Sequence, residues 1–320
     1  MKRSGIVYHN SWLNFNRLLR LGNLLVFAGL LSLLPPQNAY SIRAMTETFE
    51  PPKVLPAPTP APVPVKINSI LPPDITASGA AVIDVPSSVA LYEKNPDQRL
   101  LPASTTKIMT ALVALSDYKL NEEVKIKTAA TEGQVMGLKS DEIITVENLL
   151  YGILVHSAND AAYALAEHHP QGIGGFTNQM NEMAGKLHLT NTHFVNPIGF
   201  DDPEQYTSAR DLARLALYAS KNETIVKIVG VPQITVSDTS FYHFHPLKNV
   251  NELLGKIPGV SGFKTGYTEA AGQSVVTTVQ RNGRKVLIVV LGSKDRFGET
   301  ENLLNWVFAN HTWQELTPPS

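Results

Sequence analysis

From about Ile67 onward the chain switches between short strand-like runs and longer helix-like ones. Ala80 to Glu93 (AAVIDVPSSVALYE) sets two apolar runs on either side of Pro-Ser-Ser, which predicts a hairpin. In Leu101 to Leu115 (LPASTTKIMTALVAL) a small polar cluster opens into good helix formers, so a helix is predicted to begin near Ser104. Val146 to His168 reads as helix with a break near His156-Ser157-Ala158-Asn159, and Gly174 to Leu187 as another. Ser208-Ala209-Arg210-Asp211 has the form of a capping box for a helix ending near Ser220. After Gly262 the pattern turns to strands, Gln273 to Gln280 and Lys285 to Leu291, joined by Arg281-Asn282-Gly283-Arg284. Asn-Gly between apolar runs is a strong hairpin signal. Glu299 to Ala309 closes the pattern as a helix. Strands at both ends with helices between predict an α+β domain. One antiparallel sheet, built from the two hairpins, would be flanked by the Ser104 helix and a helical subdomain.

The beginning of the chain has a different grammar. Lys2, Arg3, Arg17 and Arg20 precede the apolar run Leu21 to Leu34, which Pro35-Pro36 ends. A basic flank, a short apolar core and small residues at Ala39 and Ser41 match an export signal. Residues 1–41 are therefore expected to be either a signal cleaved near Ser41 or an uncleaved anchor. The apolar run falls short of the ~20 residues of a comfortable membrane span unless its flanks extend it. Residues 42–66 follow as a Pro-rich linker. Its stretch PPKVLPAPTPAPVPV (Pro51 to Val65) favours extended polyproline backbone at ~3.1 Å per residue. A spacer is most useful with something attached at both ends, which favours the anchor. The folded domain is expected over 67–311, with a short tail at 312–320.

Charge and composition narrow the chemistry. Lys+Arg 27 against Asp+Glu 28 leaves a net charge of -1, so nothing pulls the 320-residue chain toward nucleic acid. There is no cysteine, which excludes disulfides, thiolate catalysis and cysteine zinc sites. There is no internal repeat and no Gly-rich phosphate loop. His243-x-His245 offers two ligands on one strand face without a third, so no metal and no other cofactor is expected.

Ser104 and Lys107 lie one helical turn apart on one face. A serine hydroxyl is a poor nucleophile until a base takes its proton, and an amine in a dry pocket can do so. The free N–H groups at a helix start also suit a developing oxyanion. A plainer account stands beside this one. Ser and Thr are favoured caps, and Ser-x-x-Lys recurs here at Ser116/Lys119 and Ser261/Lys264.

Two further motifs follow in order, Ser157-Ala158-Asn159 at the predicted helix break and Lys264-Thr265-Gly266 after Gly262. Each has its own plain account, a helix cap for the first and an exposed strand lysine for the second. The ordered set resembles the serine D-alanyl-D-alanine carboxypeptidases, low-molecular-mass penicillin-binding proteins that trim peptidoglycan. LLYGILVHSANDAAYALAE, THFVNPIGF, YTSARDLARLA and GVSGFKTGYTEAAGQ extend the resemblance over roughly Ile67 to Phe308. Ala158 stands where members of that family often have glycine.

The resemblance implies a β-lactamase/transpeptidase-like fold and a set of roles. Ser104 would be the acylated nucleophile and Lys107 its base. Ser157 would relay protons, and Asn159 would orient Lys107 and the substrate amide. Lys264 would supply positive potential, Thr265 with Arg296 beyond the last hairpin would bind the terminal carboxylate, and Gly266 would be a further substrate-binding residue. Backbone N–H groups of Ser104 and Tyr267 would form the oxyanion hole. The implied partners are a peptidoglycan stem peptide and, as acylating inhibitors, β-lactams. The implied site of action is outside the cytoplasm, with the N-terminal segment on the membrane. A D,D-endopeptidase of the same family, a serine β-lactamase and a non-catalytic wall-binding protein are the alternatives. Against the β-lactamase, FVNPIGFDD (Phe194 to Asp202) offers no glutamate to activate a deacylating water.

Overall fold

A computed structural model describes residues 61–316 other than residue 129. The expected export segment (1–41) and most of the expected linker therefore lie outside the described residues.

A five-stranded antiparallel sheet in the order β3-β2-β10-β9-β8 forms the frame. Its strands are β2 (Gly79–Asp84), β3 (Ala90–Lys94), β8 (Val260–Thr268), β9 (Gly272–Arg281) and β10 (Arg284–Ser293). The predicted N- and C-terminal hairpins supply β2–β3 and β9–β10. At the β9–β10 turn Asn282 and Gly283 take φ 49 and 74, the double left-handed geometry that a two-residue hairpin favours. The middle of β10 is apolar without alternation because both faces of the sheet are covered. Leu287, Val289 and Leu291 enter one apolar cluster, whereas Val286, Ile288 and Val290 enter the other.

On the first face lie α1 (Lys107–Asp117), α2 (Val146–Val155), α3 (Asn159–His168), α4 (Gly172–Lys186) and α5 (Ala209–Ala219). α1 is buried all round from Lys107 to Ala114, which makes it the axis of this layer. Ser208 caps α5 by accepting from Asp211 N at 3.2 Å. Asp211 does not return the bond. Its carboxylate instead takes Asn191 N and the Thr192 hydroxyl, so only half of the expected box forms. The other face is covered by α7 (Arg296–Asn310) through Leu303, Leu304 and Val307.

Five short elements escape the helix and strand pattern of the sequence: β4 (Glu123–Lys125) with β5 (Ile143–Thr145), α6 (Glu223–Val229), and the β6 (Gln233–Ser237) and β7 (Phe244–Lys248) hairpin. The domain also reaches past 67–311 at both ends. β1 (Val63–Lys66), inside the expected linker, pairs with β11 (His311–Gln314), most of which falls in the expected tail. Pro64 is tolerated because this ribbon has only two strands. Trp313 fastens it by donating to Asp84 Oδ1 at 2.7 Å.

His243 and His245 are both bonded within the protein. His243 stands on Asp238, and buried His245 meets Glu142 at 2.7 Å and the Met136 carbonyl at 3.1 Å.

Leu149, fully buried in α2, tests this packing. Leu149→Ala should cost about 2–5 kcal/mol in urea unfolding. A cost well under 1 kcal/mol would contradict a close-packed α1–α2 layer.

Candidate active site

None of the polar residues in the three motifs serves the local role that a plain structural account gives it. α1 has Thr106 at its N-cap and α3 has Ala158, and neither makes a side-chain cap bond. Ser104, Ser157 and Asn159 are therefore free to point elsewhere, and Lys264 is 1% exposed rather than solvated. The two other Ser-x-x-Lys pairs separate as well. Ser116 and Lys119 are exposed, while Ser261 Oγ lies 2.7 Å from the Thr278 hydroxyl.

Ser104 sits in a 3-10 turn (Ala103–Thr106) that leads into α1. Lys107 Nζ is 2.9 Å from Ser104 Oγ, and it donates to Asn159 Oδ1 at 2.7 Å and to the Ile198 carbonyl at 2.8 Å. Carbonyl oxygens only accept, so they occupy two N–H bonds of the amine. In a neutral amine the lone pair is then left facing the Ser104 O–H. Burial pulls the Lys107 pKa down to about 7, with the Asp160 carboxylate opposing the shift.

Lys264 stands on β8, across from the α2–α3 break. Its Nζ donates to Ser157 Oγ and to the Thr265 carbonyl, both at 2.8 Å. Burial holds its pKa well below the usual lysine value, and the Lys107 and Arg296 cations push it the same way. Ser157 reaches this position from φ 64, a left-handed conformation that a non-glycine residue adopts at a cost of order 1–3 kcal/mol.

Gly266 is where β8 passes Ser104. A Cβ there would stand 2.9 Å from Ser104 N and 3.0 Å from Ala103 Cβ, so only glycine lets the strand come this near. Arg296, the first residue of α7, donates from Nη1 to the Gly266 carbonyl at 2.9 Å. Tyr267 follows and is largely exposed. β8 is the edge of the sheet, so its outer row of backbone groups is open to an extended ligand.

The expected residues thus converge on one cleft from separate elements: the 3-10 turn and α1, the α2–α3 break, β8 and the start of α7. Two positioning residues went unnoticed in the sequence, Asn196 and Gln205. Asn196 Oδ1 accepts from the backbone N–H groups of Ile198, Gly199 and Phe200, and from Gln205 Nε2. Gln205 Oε1 accepts from Val195 N and Asn196 N. Together they fix the loop whose Ile198 carbonyl holds Lys107. Asp160 does similar work beside Asn159, accepting from the N–H groups of Met136, Gly137 and Leu138. Such side-chain braces of loops carry no periodic signal.

Comparison with known proteins agrees with this geometry. The D-alanyl-D-alanine carboxypeptidase family, peptidase S11, matches residues 66–295. The chain is 34% identical over 250 residues to the D-alanyl-D-alanine carboxypeptidase DacF of Bacillus subtilis, covering 75% of this chain and 64% of that protein. It spans the same 64% of the length of two further curated carboxypeptidase relatives. The crystal structure of the Streptomyces K15 DD-transpeptidase superposes with TM-score 0.71 at 32% identity, covering 75% of this chain and all of that one. Penicillin binding protein 5 from Haemophilus influenzae gives TM-score 0.69 at 34% identity, over 75% of this chain and 73% of that one. The fold is therefore the transpeptidase-like α+β fold, and the chain belongs to the D-alanyl-D-alanine carboxypeptidase family, peptidase S11.

Proposed function

We propose that this protein is a serine-type D-Ala-D-Ala carboxypeptidase that removes the terminal D-alanine from peptidoglycan stem peptides. The observation that carries the reading is the buried Lys107 amine, 2.9 Å from Ser104 Oγ with two carbonyls on its other bonds. Ser104 Oγ attacks the carbonyl carbon between the two D-alanines as its proton moves to Lys107 Nζ. Ser157 passes that proton to the departing amine, the C–N bond breaks, and a Ser104 ester remains for water to hydrolyse. The N–H groups of Ser104 and Tyr267 receive the oxyanion. Thr265, Lys264 and Arg296 receive the terminal carboxylate. An arriving carboxylate favours the ammonium form of Lys264, which burial alone disfavours. The cleft gives the same treatment to β-lactams, whose strained amide acylates Ser104.

Asp201 and Asp202 do not favour the β-lactamase alternative. Asp201 Oδ1 accepts from the Thr268 hydroxyl and Asp202 Oδ1 from Glu204 N, so both carboxylates are engaged locally. The enzyme acts outside the cytoplasm in this reading, exported and tethered to the membrane by residues 1–41. Among the described residues no helix is long and apolar enough to cross a membrane.

Intact-mass spectrometry with penicillin tests the proposal. A lasting adduct on Ser104 is expected, absent from Ser104→Ala and nearly absent from Lys107→Ala, together with release of D-alanine from a diacetyl-Lys-D-Ala-D-Ala peptide. A folded protein that forms no adduct, or one whose adduct vanishes with rapid penicillin turnover, would contradict it. Arg296→Ala should lower kcat/KM for carboxylate-terminated peptides by about tenfold, chiefly through KM, and leave amide-capped ones nearly unchanged. Equal effects on both would remove Arg296 from carboxylate binding.

A further inference from the structure

Arg296, bonded to the Gly266 carbonyl, also borders a second space. This is a cavity of about 710 Å³, walled by Gln233 on β6, Lys248 at the end of β7, and Asn251, Glu252 and Lys256 in the turn that follows. Three cations therefore face one carboxylate. Glu252 is bonded to Lys256 at 2.9 Å, and its pKa is lowered by that bond first, with Arg296 and Lys248 acting at longer range. Lys248 is exposed and makes no ion pair among the described residues. Two buried polar atoms of this wall, Arg296 Nε and Asn251 Nδ2, find no hydrogen-bond partner among the described residues, and Asn251 is only 3% exposed.

The chemistry of the proposed reaction orients this space, so the inference rests on that reading. The carboxylate that Lys264, Thr265 and Arg296 receive belongs to the departing residue. Whatever extends from that residue enters the region around Arg296. A departing alanine offers only a methyl group, whereas the cavity has the volume of a small-molecule site. Its surplus of positive charge selects for anions.

We propose that this cavity is a leaving-group pocket for a departing residue larger than alanine that carries a second carboxylate, received by Lys248 and Lys256 beyond Arg296. The covalent step is unchanged. The amide C–N bond breaks, the Ser104 ester forms, the Ser104 proton leaves on the departing amine through Lys107 and Ser157, and water cleaves the ester. Two sources share this chemistry: an acidic residue at the end of a stem peptide, and the acidic strand of a cross-link joined through its amine.

Three diacetyl-Lys-D-Ala-X peptides test it on the purified protein, with X as D-Ala, D-Glu or D-Gln. D-Glu and D-Gln match in size, so their ratio reads charge alone. Wild type should favour D-Glu over D-Gln in kcat/KM by about fivefold, the scale of an exposed ion pair. Lys248→Glu should abolish or reverse that preference while D-Ala stays within about twofold, and Glu252→Gln should enlarge it. A cross-linked dimer cleaved with the same Lys248 dependence would identify the peptide strand as the source. Cleavage of the D-Glu peptide alone would identify the chain-terminal residue. No preference in wild type, or equal loss on all three peptides in Lys248→Glu, overturns the pocket. Failure to hydrolyse the D-Ala peptide or to form a penicillin adduct overturns instead the parent reading, and the pocket with it.

Discussion

The structure depends on keeping one lysine amine dry. An isolated ammonium taken from water into a protein interior costs several kcal/mol even after relaxation, so the group sheds its proton when it can. Lys107 is fully buried, and the Asn159 and Ile198 carbonyls satisfy the N–H bonds that a neutral amine retains. Each of those contacts sets a demand on a distant part of the chain. α1 must be enclosed on every side. The α2–α3 break must present Asn159, at the cost of a left-handed Ser157. The loop over residues 196–200 must hold its Ile198 carbonyl inward, which Asn196 achieves from inside the loop and Gln205 from just beyond it.

The second lysine divides the labour. Burial first, and then the Lys107 and Arg296 cations, hold the Lys264 pKa well below the usual lysine value, and a bound carboxylate would act in the opposite sense. That coupling ties the presence of a carboxylate to the electrostatic state of the cleft. The edge strand β8 contributes the geometry: Gly266 brings it against the 3-10 turn, and its carbonyl anchors Arg296 from α7. Ser104 and Lys107 on one side and Lys264 and Arg296 on the other are thus carried by elements on the two faces and the edge of one sheet. The sheet is the rigid body between them.

Much of this was legible in the sequence, for identifiable reasons. The β9–β10 hairpin was announced by Asn282-Gly283, whose φ values the turn requires. The α2–α3 break showed as polar residues interrupting an apolar period. That Ser104, Lys107, Ser157, Asn159, Lys264 and Arg296 belong together was legible through ordered motifs and a family resemblance, because spacing alone could not separate Ser104/Lys107 from Ser116/Lys119. Burial made that separation. The β6–β7 hairpin was hidden because its strands are short, half-exposed and interrupted by Pro246. β1 and β11 were hidden for a related reason: a Pro-rich run reads as linker until its partner strand is known. Asn196 and Gln205 left no signal, since a side chain that braces its own loop obeys no period.

The most direct test of the neutral-amine account is the pH dependence of Ser104 acylation by a soluble penicillin that does not titrate between pH 5 and 9. The free enzyme's base governs that second-order rate. Below a Lys107 pKa of about 7 the amine is protonated and has no lone pair to take the serine proton. The account predicts a rate that rises about tenfold per pH unit at low pH and levels off above a midpoint near 7. A rate that is flat across this range, or still climbing toward pH 10, would contradict it.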